Sequence, residues 1–298
     1  MTAIRESFSD LILPGLRKVF VEIAQEPEPM LESLFNVQSS SKPYEQDSSV
    51  GQFDDFDEFN GTVAYDDVTQ GYDVKYEWTE YAKGFKISRS MADDDLYGVI
   101  SKKPEGLGRA AKRTREKHGA SLFNNAFTTE TSTWLDGCEL CASDHSSTVS
   151  GVSTQSNEGT TALSAAAVES YRQLMKMYKG DRGEILDCDG DLILVPLGLE
   201  ETAWEIINSK GKVDQSTNNA NFHEGKYKLA VWRRLTDANN WFLIDSKLMK
   251  NYLLWFDRVK AEFAKDTDSN TLIAKFTAYM RYGYGWSAWQ FIYGSLVS

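Results

Sequence analysis

Cys138-Glu139-Leu140-Cys141, with His145 four residues on, is the densest run of ligand-type side chains in this 298-residue chain. A Cys-x-x-Cys pair plus a histidine supplies three zinc ligands, and Cys188 or His223 would have to close the tetrahedron. One pair without a second is an incomplete set. A redox Cys-x-x-Cys opens a helix after a strand. Here Asp136-Gly137 before the pair and Ala142-Ser143-Asp144 after it read as loop. The sequence predicts no metal, with Cys138, Cys141 and His145 as weak candidates only. It predicts small residues in a turn around a hydrogen-bonded His145, and two dispensable cysteines. The triplet Asp93-Asp94-Asp95 reads as acids on a helix N-terminus rather than as a cation site. Asp187-Cys188-Asp189-Gly190-Asp191 imitates the start of a calcium loop. Pro196 stands where that loop needs glutamate, so the stretch reads as a turn into a strand. No glycine-rich phosphate loop, nucleophile elbow or His-Glu-x-x-His motif is present. The three histidines, His118, His145 and His223, form no Ser/His/Asp set, and no catalytic or cofactor-binding residue is assigned. Lys102, Lys103, Arg109, Lys112, Arg113, Arg115 and Lys117 make the one positive patch. It reads as a solvated helix face, as the partner of an acidic segment, or as a surface facing nucleic acid.

That patch lies on a predicted helix. Ser90 and Asp93 give a capping-box-like start, Lys102-Lys103-Pro104 interrupts, and the helical pattern resumes at Leu107. Leu107, Ala110, Ala111, Thr114, His118, Ser121, Leu122 and Asn125 share one face, with Phe123 and Phe127 roughly opposite. A helix apolar on two sides needs partners on two sides. Before it, Tyr72, Val74, Tyr76 and Trp78 alternate with Asp73, Lys75 and Glu77 at strand spacing, and Phe85 and Ile87 flank Lys86 likewise. Thr62-Val63-Ala64-Tyr65 reads as the other strand of a long hairpin. Such a hairpin has little core of its own, so its aromatic face is expected on another copy. The first sixty residues read as an arm: a short helix through Leu16, Val19, Phe20 and Ile23, stopped by Pro27 and Pro29, then polar linker at Ser39–Ser41 and Ser48–Ser49. Asp54, Asp55, Asp57 and Glu58 then form a dense acidic patch.

After a Ser/Thr/Gly-rich stretch from Thr129 to Thr161, Ser164 caps a predicted helix to about Lys179, with Val168, Tyr171, Leu174, Met175 and Tyr178 as its stripe. Asp191 to Pro196 is a near-continuous apolar run, hence a buried strand. Leu199–Ser209 is a helix, Tyr227–Trp232 and Trp241–Ile244 are strands, Asn251 to Ala264 is mixed, and Thr271 to Phe291 has an aromatic-rich strand pattern. The order is α+β. Net charge is −12, which argues against a dedicated nucleic-acid binder. No apolar run is long enough to span a bilayer. Three cysteines cannot build a disulfide framework, which points to synthesis in a reducing cytoplasm.

Several short motifs in a fixed order carry a family resemblance. They are Gly84-Phe85-Lys86-Ile87-Ser88, Asp94-Asp95-Leu96-Tyr97-Gly98, Leu107-Gly108-Arg109-Ala110-Ala111, then Asp136-Gly137, Leu140 and His145. Leu192, Val195 and Pro196 follow, and Trp241-Phe242-Leu243 lies ahead of the aromatic C-terminal strand. Over nearly its whole length the chain resembles the major capsid protein of tailed double-stranded DNA phages, in particular the Mu-like head subunit group. The two cysteines are not part of that pattern. The resemblance implies an HK97-like capsid fold: residues 1–60 as N-arm, 61–100 as E-loop hairpin and its base, 101–183 as peripheral domain with a spine helix, 184–245 as axial domain, and 246–298 returning to the peripheral domain. It implies a non-enzymatic subunit that assembles as pentamers and hexamers into an icosahedral shell in the virion, built in the bacterial host cytoplasm. Portal and decoration proteins are the implied partners, with packaged DNA met only non-specifically and no membrane.

From these readings follow residue-level expectations. Tyr72, Val74, Tyr76 and Trp78 are expected at an inter-subunit contact, and Trp78→Ala is expected to impair assembly rather than folding. Arg109, Lys112 and Arg113 on one side and Asp54, Asp55 and Asp57 on the other are expected to make electrostatic contacts. The sequence has no room for an N-terminal scaffolding domain, so an uncleaved subunit and a separate scaffolding protein are expected. The competing readings are a zinc- or thiol-dependent enzyme centred on Cys138, Cys141 and His145, and another phage part such as a tube or decoration protein.

Overall fold

A computed structural model describes residues 7–24, 29–50, 70–88, 90–91, 94, 99–128, 136–147, 153–211, 219–268 and 273–297, with single positions between 53 and 67. Its longest helix is the one carrying the basic patch. Counting helices in chain order, α1 is Ser7–Ala24, α2 is Pro29–Leu34 and α3 is Val99–Asn124. At 26 residues, α3 is about 39 Å of rod. It runs through Pro104 without the expected break. A proline near a helix start removes a single backbone bond, and here burial along the rest of the helix outweighs that loss.

Two sheets lie against this rod. The first has strand order β1-β9-β10-β4, with β1 Asn36–Ser39, β4 Thr79–Ser88, β9 Leu253–Asp268 and β10 Ile273–Trp286. β1 runs parallel to β9, and β10 pairs antiparallel with both β9 and β4. The second sheet has the order β5-β11-β8-β6-β7: β5 Glu158–Gly159, β6 Leu192–Val195, β7 Lys228–Val231, β8 Trp241–Ile244 and β11 Ile292–Ser295. β6 is buried along its whole length because it lies between β7 and β8. That is what its unbroken apolar run required.

Helices α4 (Ala165–Met175) and α5 (Glu200–Asn208) belong with the second sheet. The Ser164 hydroxyl accepts from the N–H of Ala167 and caps α4. Val168 and Met175 of α4 pack with Ile193, Val195, Ala203, Ile206, Trp241 and Leu243 in one core. Leu174, expected in that stripe, faces solvent instead, as does Trp204 on α5. The larger core surrounds α3: Phe20, Leu31, Leu34 and Phe35 meet Leu122, Phe123, Trp232, Trp255 and Phe263.

These contacts correct several sequence expectations. The arm is not free of the body, since α1, α2 and Phe35 are core and β1 is an edge strand, and a second strand covers Ser48 and Ser49, where polar linker was expected. The hairpin strand opposite β3 (Gln70–Tyr76) is β2, Glu45–Val50, and not Thr62–Tyr65. The expected boundaries at 183/184 and 245/246 do not follow the sheets. α4 and β5 pack with the second sheet, and the chain ends in it because β11 pairs with both β8 and β5.

Candidate functional site

The structure brings His145 and Cys138 together, but with Asp136 rather than Cys141. The His145 Nδ1 lies 2.6 Å from an Asp136 carboxylate oxygen and its Nε2 lies 3.0 Å from Asn157 Oδ1. The ring stacks on Trp289 at 4.3 Å. Ligand atoms of Asp136, Cys138 and His145 all lie within 4.8 Å of one another. Cys141 is fully buried elsewhere, donating its backbone N–H to the Ala126 carbonyl and lodged against Gly294. A Cβ at Gly294 would sit 2.6 Å from the Cys141 sulfur, so the glycine makes room for the thiol. Cys188 belongs to the second core. The Cys-x-x-Cys reading therefore fails geometrically: a two-residue spacing in a bend points the two sulfurs to different sides.

The thiol chemistry is correspondingly quiet. Burial pushes the Cys138 thiol up to about 11, helped by Asp136, Asp144 and Glu139, and lifts Cys141 well above the ordinary range. Burial likewise raises Cys188 to about 11. Little thiolate forms at neutral pH, which removes the nucleophile a thiol enzyme needs. Asp189 and Asp191 are occupied structurally. Asp191 accepts from the N–H and hydroxyl of Ser246, and Asp189 donates its N–H to Asp245. Burial alone would raise the Asp191 carboxyl, but the Ser246 hydrogen bonds and Lys228 hold it below its usual value. Of the 93–95 triplet, Asp93 and Asp95 lie outside the described residues.

The hairpin departs from its sequence reading in a second way. Val74, Tyr76 and Trp78 are buried by the chain itself, against Leu254 and Phe256. The Trp78 indole N–H donates to the Lys42 carbonyl at 2.9 Å, and its ring meets Phe256 at 5.8 Å between centroids. Gly283 is needed here, since a Cβ would come within 2.4 Å of the Glu77 carbonyl and 2.8 Å of the Trp78 ring. The expectation that a neighbouring copy covers these three side chains is corrected: β9 and β10, more than 170 residues away in sequence, cover them. Tyr72 stays half-buried, its hydroxyl 3.1 Å from that of Ser146. Beyond β2 and β3, Phe53, Phe56, Phe59 and Tyr65 are exposed. Asp54, Asp55 and Asp57 lie outside the described residues.

The basic cluster divides into two populations. Arg109, Lys112 and Arg113 line a groove of about 760 Å³ with Arg233 and Arg234, walled by Ile23, Met30, Val231 and Trp232. Arg109 also pairs with Glu105 one turn earlier. Arg115 points inward instead and clamps Asp257 through two bonds of 2.6 and 3.2 Å, beneath the rings of Trp255 and Tyr282. Its neighbour Glu116 is also buried. It accepts from the Trp232 indole at 2.9 Å and the Leu31 N–H at 3.3 Å. Helical spacing sets Glu116 off the stripe that runs from Leu107 to Asn125. Nothing local signals its burial, because both partners come from distant segments.

Comparisons with known proteins agree on one architecture. A family model described as phage capsid protein matches residues 71–295. A search of curated proteins found no match. Among solved structures, the capsid of bacteriophage JBD30 superposes with a TM-score of 0.57 at 16% identity, over 72% of this chain and 92% of that one. The procapsid of the same phage gives 0.54 at 17% identity, over 98% and 76%. A chain of Mycobacterium phage Patience gives 0.58 at 9% identity, over 99% and 89%. At such identities the likeness shows a shared fold.

Proposed function

The chain belongs to the phage capsid protein family, a structural subunit of tailed-phage heads with the HK97-like fold, and from that premise we propose how copies of it join. In this reading pentamers and hexamers close an icosahedral shell. The first sheet with α3 serves as the peripheral domain and the second sheet with α4 and α5 as the axial domain. The hairpin β2–β3 is the E-loop. Assignment to the Mu-like group is part of the same proposal.

One observation carries the contact we favour. The sequence between β2 and β3 carries Asp54, Asp55, Asp57 and Glu58 interleaved with Phe53, Phe56 and Phe59, and the three phenylalanines are exposed. The groove on α3 offers Arg109, Lys112, Arg113, Arg233 and Arg234 over an apolar floor that includes Ile23, Met30 and Trp232. Charge and apolar character match on both sides. Contacts between exposed charges contribute about 0.2–1 kcal/mol each, and a closed shell multiplies them through simultaneous engagement. The hairpin's own aromatic base, buried in its subunit against Leu254 and Phe256, anchors the two strands that flank this segment. A net charge of −12 suits a wall that does not grip packaged DNA. A separate scaffolding protein, a portal and decoration proteins complete the proposed set of partners. Among the described residues no helix is long and apolar enough to cross a membrane.

The test is a charge swap in the full chain, produced together with the other head proteins of its phage. Reversing Arg109, Lys112 and Arg113 to Glu should abolish shells seen by electron microscopy while leaving the subunit folded. Reversing Asp54, Asp55 and Asp57 to Lys should do the same. Combining the two sets should restore shells. Normal shells from either single set would overturn the proposed contact.

A further inference from the structure

Asn157 dictates how the buried His145 can be used. The Asn157 amide nitrogen donates to the carbonyls of Leu140 at 2.8 Å and Ile292 at 3.3 Å. Its oxygen accepts the Ala142 N–H at 2.8 Å. The amide orientation is thereby set, and the oxygen 3.0 Å from His145 Nε2 makes that nitrogen the donor. In the neutral ring Nδ1 then carries the lone pair. It faces the Asp136 carboxylate, 2.6 Å away, and the ligand atoms of Asp136, Cys138 and His145 lie within 4.8 Å of one another. A proton holds the short contact between Asp136 and His145, and a metal ion is the other positive charge these three donor groups could share. Nearby carboxylates of Glu139 and Asp144 deepen the negative field on the Cys138 sulfur.

We propose that Asp136, Cys138 and His145 form a structural site for a divalent transition metal of the zinc class. Nitrogen, thiolate and carboxylate are the ligands such an ion takes, and a histidine whose second nitrogen donates to a fixed acceptor is the usual supporting arrangement. Asp144 stands at the mouth, its Oδ1 3.9 Å from the Cys138 sulfur, and it or a water completes the tetrahedron. Cys138 is only partly buried, which gives the ion a route from solvent. Binding displaces the proton shared by Asp136 and His145 and the proton of the Cys138 thiol, both released to water. The Nδ1–Oδ2 pair opens from 2.6 Å to the roughly 3.3 Å between two ligands of a tetrahedral zinc. The ion would tie the bend at 136–138 to His145, which bridges Gln155 through both backbone bonds and stacks on Trp289 beside β11. The site stands apart from the assembly contact above, and it reverses the sequence expectation that Cys138 is dispensable.

The test uses the full unassembled chain, stripped of metal and titrated with Co²⁺ as a spectroscopic probe and Zn²⁺ as a competitor. Binding of one Co²⁺ per chain is expected, with a thiolate-to-cobalt charge-transfer band that Zn²⁺ erases. Cys138→Ser should remove the band, Cys141→Ser should leave it intact, and Asp136→Asn, which keeps an acceptor opposite His145, should weaken binding at least about tenfold. Circular dichroism checks that each variant is folded. No Co²⁺ or Zn²⁺ retained by the folded chain, which would mean that a proton alone fills the site, overturns the proposal. So does a band that survives Cys138→Ser or disappears with Cys141→Ser.

Discussion

Replacing Trp78 by alanine should destabilise the isolated subunit, not merely its assembly. The side chain is 8% exposed and packs on Phe256, with the Gly283 backbone tight behind it. Removing a buried Trp or Phe side chain costs about 3–5 kcal/mol, the spread depending on how far the site can collapse. Collapse is limited here because β9 and β10 hold the opposite wall through a long antiparallel ladder, shifted in register only around Arg281. The lost hydrogen bond to the Lys42 carbonyl adds about 1 kcal/mol. A loss of about 4–6 kcal/mol is therefore expected, a large part of the roughly 5–15 kcal/mol typical of a folded protein. Urea unfolding of the unassembled subunit, followed by far-ultraviolet circular dichroism, measures it directly. Trp78→Phe separates the parts: it keeps an aromatic ring, loses the indole N–H, and should cost about 1 kcal/mol. Tyr72→Ala, at a half-buried position, should cost less than Trp78→Ala by at least about 2 kcal/mol. A Trp78→Ala subunit that unfolds at the parent midpoint while shells fail to form would refute this reasoning. The ring would then be covered by a neighbour, as the sequence suggested.

Arg115→Ala leaves the Asp257 carboxylate buried without its cation and should cost about 3–5 kcal/mol of subunit stability. A paired apolar replacement of both residues should recover much of that loss, and a double-mutant cycle in urea reads the difference. In the metal-free chain Cys138 should react slowly with a disulfide reagent at pH 8 and faster as pH rises through about 11. The sign follows from the raised thiol pKa, which keeps the unreactive protonated form below that value. Cys141, deeper still, should react only on unfolding. Labelling followed by mass spectrometry distinguishes the sites, and rapid labelling of Cys141 in the folded chain would contradict its placement.

Local pattern alone determined much of the second sheet and its helices. Leu192–Val195 is apolar at every position and became the central strand, and Ser164 before an amphipathic stretch became a capped helix. The alternation from Tyr72 to Tyr76 became β3, because a two-residue period is a property of the strand itself. The α3 rod was legible from Leu107 onward for the same reason, at period 3.6. What pattern could not reach were features whose partners lie far along the chain. β2 is Glu-Gln-Asp-Ser-Ser-Val, with no apolar face to announce it. Its existence rests on backbone pairing with β3. β1 likewise owes its strand to β9, more than 200 residues on. Glu116 and Arg115 looked like solvated charges because helical spacing says only which side a residue faces. Trp232 and Asp257, supplied by the tertiary fold, turned that side inward. Asp136 reads as an ordinary turn residue until the folded chain sets its carboxylate against His145 and Asn157 fixes the ring. For these charged residues a local period or spacing was in the sequence, while the group that completes each buried polar contact was chosen by chain topology.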